Sequence, residues 1–124
     1  MTYPTDYMPC PDLYAFASRK KARKFALKNY GEEPRDVPWA EGVTWITKND
    51  SGHTVCLVVI EADDSSAAQK TALLAHECVH AAQAWAESMG EDEPGEEWLA
   101  YAVQSCMLVC LDQLGEEWIT GKEI

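Results

Sequence analysis

The alternation of apolar and polar positions divides the chain into a helical start, a β-rich middle and a helical second half. Asp12 follows a proline-rich lead-in and can cap a helix, which we predict to run to Tyr30 and to end at Gly31. Two β-rich runs, Val43–Lys48 and His53–Glu61, flank the turn-forming tetrapeptide NDSG. This arrangement predicts an antiparallel hairpin.

The second half of the chain carries the signals of two longer helices. Ser66 followed by Gln69 is a capping-box pattern, and the helix after it is predicted to reach about Met89, before Gly90. The last helix is predicted to run through EWLAYAVQSCMLVCLDQL and to stop at Gly115.

The order helix, hairpin, helix, helix predicts an α+β fold with a small antiparallel sheet. Every position from Val55 to Ile60 is apolar, so we expect this strand to be covered on both faces. The chain has 124 residues, which suits a single domain over residues 1–124.

The charge of the chain limits the kinds of molecule that it can bind. The net charge of −11 argues against binding to nucleic acid or to an anionic membrane surface, because the long-range field repels phosphate groups. The basic residues are unevenly spread, however, and six of the ten lie within the predicted helix 12–30: Arg19, Lys20, Lys21, Arg23, Lys24 and Lys28. This helix either presents a solvated basic face or docks an acidic protein partner.

The five cysteines mostly lie inside apolar segments and form no Cys-x-x-Cys pair. We therefore expect reduced, buried thiols, as in an intracellular protein, rather than disulfides or a thiolate zinc site. The first residues do not have the pattern of a signal peptide, and no apolar run is long enough to span a bilayer. These features favour a cytoplasmic location.

The stretch ALLAHECVHAAQAW places two histidines four positions apart within the third predicted helix. Residues at this spacing share a helix face, so His76 and His80 can offer two imidazole nitrogens to one zinc ion. Glu77, about 100° round the helix from His76, is placed to contact a water molecule at the metal. His-Glu-x-x-His on a helix is typical of zinc metalloproteases, with the glutamate as general base. The alternative is a pair of hydrogen-bonded core histidines.

A catalytic zinc site needs a third protein ligand. Glu96 and Glu97, at the start of the next helix, are better candidates than His53, which lies where the predicted turn meets the strand. We favour Glu97, because its helix face continues through Tyr101, Gln104, Leu108 and Leu111, from polar residues to apolar ones. Alternatively, both glutamates only complement the positive end of the helix dipole.

The two segments HECVHAAQ and EEWLAYAVQ together resemble the zincin metallopeptidases that use a glutamate ligand, the gluzincins. They are most similar to the small single-domain peptidases of tailed phages and prophages. The match spans roughly residues 65–114 and falls on His76, Glu77, His80, Glu97, Ala100 and Tyr101, with Gln83 and Gln104 as further correspondences. The separation of the two helices is shorter than in the larger gluzincins.

This resemblance implies a minimal zincin-like domain with Zn²⁺ on His76, His80 and Glu97. It implies a peptidase that cleaves peptide or protein amide bonds with a metal-activated water and Glu77 as general base. By the same resemblance, Val43–Lys48 would be the strand edge that binds an extended peptide.

Three points stay open at the level of sequence. Tyr101 either donates a hydrogen bond to the developing oxyanion or to Glu97, or is a half-buried aromatic residue. The substrate is a peptide or protein, or else the peptide of a cell wall. The alternative to an enzyme is a phage or prophage assembly or interaction protein on a zincin scaffold, with a non-catalytic metal or none.

Overall fold

The computed structural model describes residues 12–32, 34, 40–62, 64–91, 93–115 and 117–118, which form three strands and three helices. In chain order the elements are β1 (Asp12–Phe16), α1 (Arg19–Tyr30), β2 (Gly42–Lys48), β3 (Thr54–Ile60), α2 (Ala67–Ser88) and α3 (Glu96–Leu114). The prediction of an α+β fold is confirmed.

Strand β3 is the centre of a three-stranded mixed sheet with the order β1-β3-β2. The predicted hairpin is confirmed, because β2 pairs antiparallel with β3 in the register Gly42↔Ile60 to Lys48↔Thr54. Every residue from Val55 to Ile60 is buried, as the continuous apolar run predicted.

The prediction of one helix over residues 12–30 is wrong for its first part. Residues 12–16 form β1, which pairs parallel to β3, so the sheet is mixed rather than antiparallel. Leu13 and Ala15 join the core on one face of the sheet, whereas Tyr14 and Phe16 pack on the other. The helix begins only at Arg19, where the Ser18 side chain accepts a hydrogen bond from the Lys21 backbone N–H.

Alternation along the strands divides the interior into two cores, one on each face of the sheet. Even-numbered residues of β3, such as Cys56 and Val58, face α2 and α3. Odd-numbered ones, such as Val55 and Leu57, face α1 and its buried residue Ala26. Helices therefore cover both faces of the sheet.

The boundaries of α2 and α3 agree with their sequence signals. The capping box at the start of α2 is complete. The Ser66 hydroxyl accepts a hydrogen bond from the Gln69 backbone N–H, and Gln69 Oε1 accepts one from the Ser66 backbone N–H. Gly115 follows the last residue of α3. Within the described residues, no helix is long and apolar enough to cross a membrane.

Candidate active site

Helix α2 holds the two histidines side by side on its exposed surface. His76 and His80 lie one turn apart, and their ring centroids are 5.1 Å from each other with an interplanar angle of 73°. Both residues are exposed. They are therefore not core histidines, and their ring nitrogens are open to a ligand from outside the protein.

Glu77 lies between α2 and the sheet, although it directly follows His76 in sequence. Its side chain is 7% exposed, compared with 67% for that of His76. The hydroxyl of Thr44 on β2 donates to Glu77 Oε1 at 2.8 Å. The other carboxylate oxygen, Oε2, lies 4.0 Å from His76 Nε2. The glutamate thus has one oxygen bound to the strand and the other near the His76 imidazole.

Gly42 makes the close approach of β2 to this carboxylate feasible. A Cβ atom at position 42 would lie 3.1 Å from Glu77 Oε2, 3.3 Å from Glu77 Cγ and 3.1 Å from Ile60 Cδ1. These separations are shorter than ordinary van der Waals contacts between carbon or oxygen atoms. Any larger residue at position 42 would therefore displace the glutamate or the strand.

A groove between β2 and α2 gives access to these side chains. Its cavity of about 300 Å³ is lined by Ala40, Gly42, Val43, Thr44, Ile46, His76, Glu77 and His80. A second hollow of about 520 Å³ shares Gly42, His76 and Glu77 and extends towards Leu73 and the start of α2. A larger hollow of about 630 Å³ lies beside Trp45 and Tyr30, and the described residues of its lining include no histidine or cysteine.

The outer edge of β2 borders the groove and is not paired to any described strand. Hydrogen bonds from Glu61 N to Glu41 O and from Asn49 N to His53 O show that the odd-numbered positions bond to β3. Because backbone groups alternate in direction along a strand, Gly42, Thr44 and Ile46 turn their N–H and C=O groups to the free edge. This edge can accept a further strand.

The donor set fits a zinc site in part. Two imidazoles one helical turn apart supply two of the nitrogen ligands that zinc prefers, and the adjacent carboxylate could contact a water molecule at the ion. Among the described residues, however, no three His, Cys, Asp or Glu side chains form a group that could hold a metal ion. A third ligand would have to come from a side chain that does not lie beside His76 and His80 in this structure.

Glu97 and Glu96 lie in the first turn of α3, where both are exposed. The expected path of the Glu97 face into the core is wrong for Gln104 and Leu108, which are exposed, whereas Leu111 at the end of that face does pack against the core. The buried face of α3 is a different one, with Ala102, Ser105, Cys106 and Cys110.

The other candidate residues lie at different depths. His53 is exposed at the turn before β3, while Tyr101 is half-buried on α3. Trp85 and Trp98 pack together at a centroid distance of 5.3 Å and join α2 to the start of α3. The two tryptophans therefore have a packing role.

Sequence reasoning missed Thr44 and Gly42, the strand residues that contact Glu77. A period-two pattern along β2 does place both on one face of the strand, together with Ile46. That pattern carries no information on which helix covers this face, so it could not link the two residues to Glu77.

Comparison with known proteins adds no assignment. The chain matches no protein-family model, no curated protein and no solved structure significantly. The function is therefore argued from the arrangement of the residues themselves.

Proposed function

We propose that this protein is a zinc-dependent peptidase that hydrolyses an amide bond of a peptide or protein. The observation that carries the proposal is the arrangement of two exposed imidazoles, a neighbouring buried carboxylate and a free strand edge around one groove. The fold alone would not support this function, because similar architectures serve many purposes.

In this proposal His76 and His80 hold the zinc ion, and Glu97 is the third ligand, as in the gluzincins that the motif resembles. When bound, zinc supplies Lewis acidity that makes a water molecule more acidic and stabilises negative charge on a carbonyl oxygen. A catalytic site would also need room at the ion for a water molecule or the substrate.

Glu77 acts as the general base through Oε2, the oxygen that lies 4.0 Å from His76 Nε2. Its carboxylate has no hydrogen bond from a described residue at this oxygen, which leaves Oε2 able to take a proton and to pass it to the leaving amine. Tyr101 would donate a hydrogen bond to the developing oxyanion or to Glu97.

The substrate pairs with β2 as an additional strand. Backbone groups of Gly42, Thr44 and Ile46 at the free edge supply hydrogen bonds that do not depend on the substrate sequence. A peptide in this position runs along the groove and brings its amide bonds past His76 and His80.

Two further parts of the proposal concern the surroundings of the site. The exposed lysines of α1, Lys20, Lys21, Lys24 and Lys28, would dock an acidic protein partner. Cys56, Cys78, Cys106 and Cys110 are buried thiols, which supports a reducing compartment such as the cytoplasm.

The proposal is tested by zinc analysis and by cleavage of a fluorogenic peptide mixture with purified wild type and five variants. We expect about one zinc per chain in wild type. Glu77→Gln should keep the zinc and lower the cleavage rate by about 10²- to 10⁴-fold, because it removes the base. His80→Ala should lose most of the zinc, and Glu97→Ala a large part of it.

Matched controls separate these effects from general damage. Glu96→Ala changes the neighbouring first-turn glutamate, and His53→Ala removes the exposed histidine outside the groove; both should retain zinc and activity. Full zinc occupancy in His80→Ala would refute the ligand assignment. Zinc binding without any peptide cleavage by wild type would favour the alternative of an assembly or interaction protein.

A further inference from the structure

We propose that Thr44 is a positioning residue for Glu77, fixing one carboxylate oxygen so that the other is presented to the reacting amide. The inference rests on the proposed peptidase function, since it assigns a role to the strand that borders the same groove. Thr44 lies on β2 and does not belong to the His-Glu-x-x-His motif.

The contacts of the Thr44 hydroxyl carry this inference. Its Oγ1 lies 2.8 Å from Glu77 Oε1 and 3.1 Å from the backbone oxygen of the same residue. A hydroxyl has one proton to donate, and the shorter contact, to a carboxylate, is the stronger type of hydrogen bond. Oε1 is therefore the bound oxygen, and Oε2 is left for proton transfer.

A glutamate needs such a restraint if it is to act as a base in one position. Its side chain has three rotatable bonds, and a carboxylate that samples several rotamers spends little time in the reactive geometry. The threonine side chain is restricted at χ1 by its branched Cβ, so the hydroxyl itself is held in place by the strand. A rigid strand thereby orients a flexible acid.

Gly42 supplies the second half of the restraint. It precedes Thr44 by two positions on the same strand face, and its lack of a side chain lets Oε2 and Cγ of Glu77 lie against the backbone. Thr44 thus binds one oxygen, while Gly42 leaves the space that the other occupies.

The position of Thr44 also connects the base to the substrate. Its backbone N–H and C=O face the free edge where a peptide would pair, whereas its hydroxyl reaches Glu77 on the helix side. A paired peptide would restrict the motion of the strand and, through Thr44, that of the carboxylate. We therefore expect Thr44 to affect turnover more than substrate binding.

The competing explanation is that Thr44 only ties β2 to α2. The contact between its hydroxyl and the Glu77 backbone oxygen could do so without any role for the carboxylate. A structural tie predicts lower stability with unchanged turnover of the folded, zinc-loaded protein. A positioning role predicts lower turnover of the folded, zinc-loaded protein, whether or not the stability also falls.

The test compares kcat, KM, zinc content and Tm for wild type, Thr44→Val, Thr44→Ser and Gly42→Ala. Thr44→Val keeps the shape and loses the donor, so kcat should fall by about 10- to 100-fold, the range expected for a hydrogen bond to a charged group. KM should change by less than about twofold, because the backbone groups that pair with the peptide are kept. Thr44→Ser should recover most of kcat, and Gly42→Ala should lower it.

Thr47→Val is the matched control. Thr47 lies on the same strand, and its hydroxyl donates to the Glu32 carboxylate at 2.7 Å on the other side of β2. This variant also removes a threonine–glutamate hydrogen bond but does not touch Glu77. The backbone groups of Thr47 bond to β3 and not to the edge where the peptide would pair, so its kcat should equal that of wild type.

A double-mutant cycle in the zinc-free protein gives a readout that is independent of activity. If the two side chains interact, the Tm decrease of Thr44→Val with Glu77→Gln should be smaller than the sum of the single decreases. Additive decreases, or a zinc-loaded Thr44→Val enzyme with the kcat of wild type, would overturn the inference and leave the peptidase proposal standing. Absence of cleavage by zinc-loaded wild type would instead overturn the peptidase proposal.

Discussion

At the scale of single residues, neighbours in the sequence have opposite environments because of the helical period. His76 is exposed and Glu77 is buried, since one residue is a rotation of about 100° and α2 lies against β2 on one side only. Glu77 therefore lies one step round the helix from the exposed face that carries His76 and His80. Its hydrogen bond to Thr44 could not be expected, because the two residues are 33 positions apart.

Cys56 gives a residue-scale prediction about stability at alkaline pH. Burial in the middle of β3 raises the pKa of its thiol from an ordinary value of 9.0 to about 12. Between these values the unfolded chain releases the thiol proton while the folded chain keeps it. This contribution to stability is fully present below pH 9.0 and is lost as the pH rises towards about 12.

The expected slope is a loss of about 1.4 kcal/mol in the free energy of unfolding per pH unit in that window. Urea unfolding of wild type and Cys56→Ala at several pH values measures it. The variant should be less stable overall, because it leaves a small cavity, but its stability should decrease less steeply with pH. Parallel curves for the two proteins would show that the thiol ionises equally in both states.

At the scale of elements, the turn and capping patterns predicted the structure correctly, whereas the prediction for residues 12–16 was overridden by tertiary pairing. The hairpin, the capping box of α2 and the glycine ends of the helices follow from short-range patterns. Residues 12–16 have no such signal, and they form β1 because parallel pairing with β3 buries Leu13 and extends both cores. That pairing depends on a strand some 40 positions further along the chain.

The cap of α2 provides an element-scale prediction. Ser66→Ala removes the side-chain acceptor for the Gln69 backbone N–H, so the free energy of unfolding should fall by about 1 kcal/mol. Ser51→Ala, in the exposed turn of the hairpin, is the control and should leave stability unchanged. Denaturant unfolding of the two variants measures the difference. An equal effect of both substitutions would mean that the capping bond does not stabilise the helix.

For α3, the pattern along the helix could not show which of its faces is buried. Helical periodicity gives the faces of α3, yet two different faces carry apolar residues, and only packing against α2 and β1 selects Ala102 and Cys106 for the core. The prediction that Glu97 is the third zinc ligand therefore depends on a crossing angle that no local pattern specifies.

At the scale of the whole molecule, β3 joins the two cores. Leu57 belongs to the core beneath α1, whereas Leu74 on α2 belongs to the other, and the strand between them is buried on both sides. Loss of either core would expose β3, so we expect the two layers to unfold together rather than one after the other.

This prediction is checked by following thermal unfolding with near-UV and far-UV circular dichroism. The two signals should change in one coincident transition, since Trp45 lies in one core and Trp85 in the other. Leu57→Ala and Leu74→Ala should each lower the stability by about 2–5 kcal/mol and keep the transition single. Separate transitions in either variant would show that the cores are independent units.

The distribution of charge is also a property of the whole molecule. The net charge is −11, yet α1 contains six basic residues and no acidic one. Arg19 pairs with Glu61 at 3.0 Å, so this residue serves the intramolecular contact between α1 and the end of β3. The exposed lysines of α1 make up the basic face that the sequence indicated.

The sequence by itself determined the features that depend on neighbouring residues: the hairpin, the helix ends, the covered central strand and the pair of histidines on one helix face. Each arises from backbone geometry within about one or two turns of the chain. Only the tertiary structure decided that residues 12–16 are a strand, that Thr44 and Gly42 contact Glu77, and that the edge of β2 beside the histidines pairs with none of the described strands. These features join residues distant in sequence. The free energy that selects them comes from burying the surfaces of distant segments against each other, and a local pattern does not show which segments will meet.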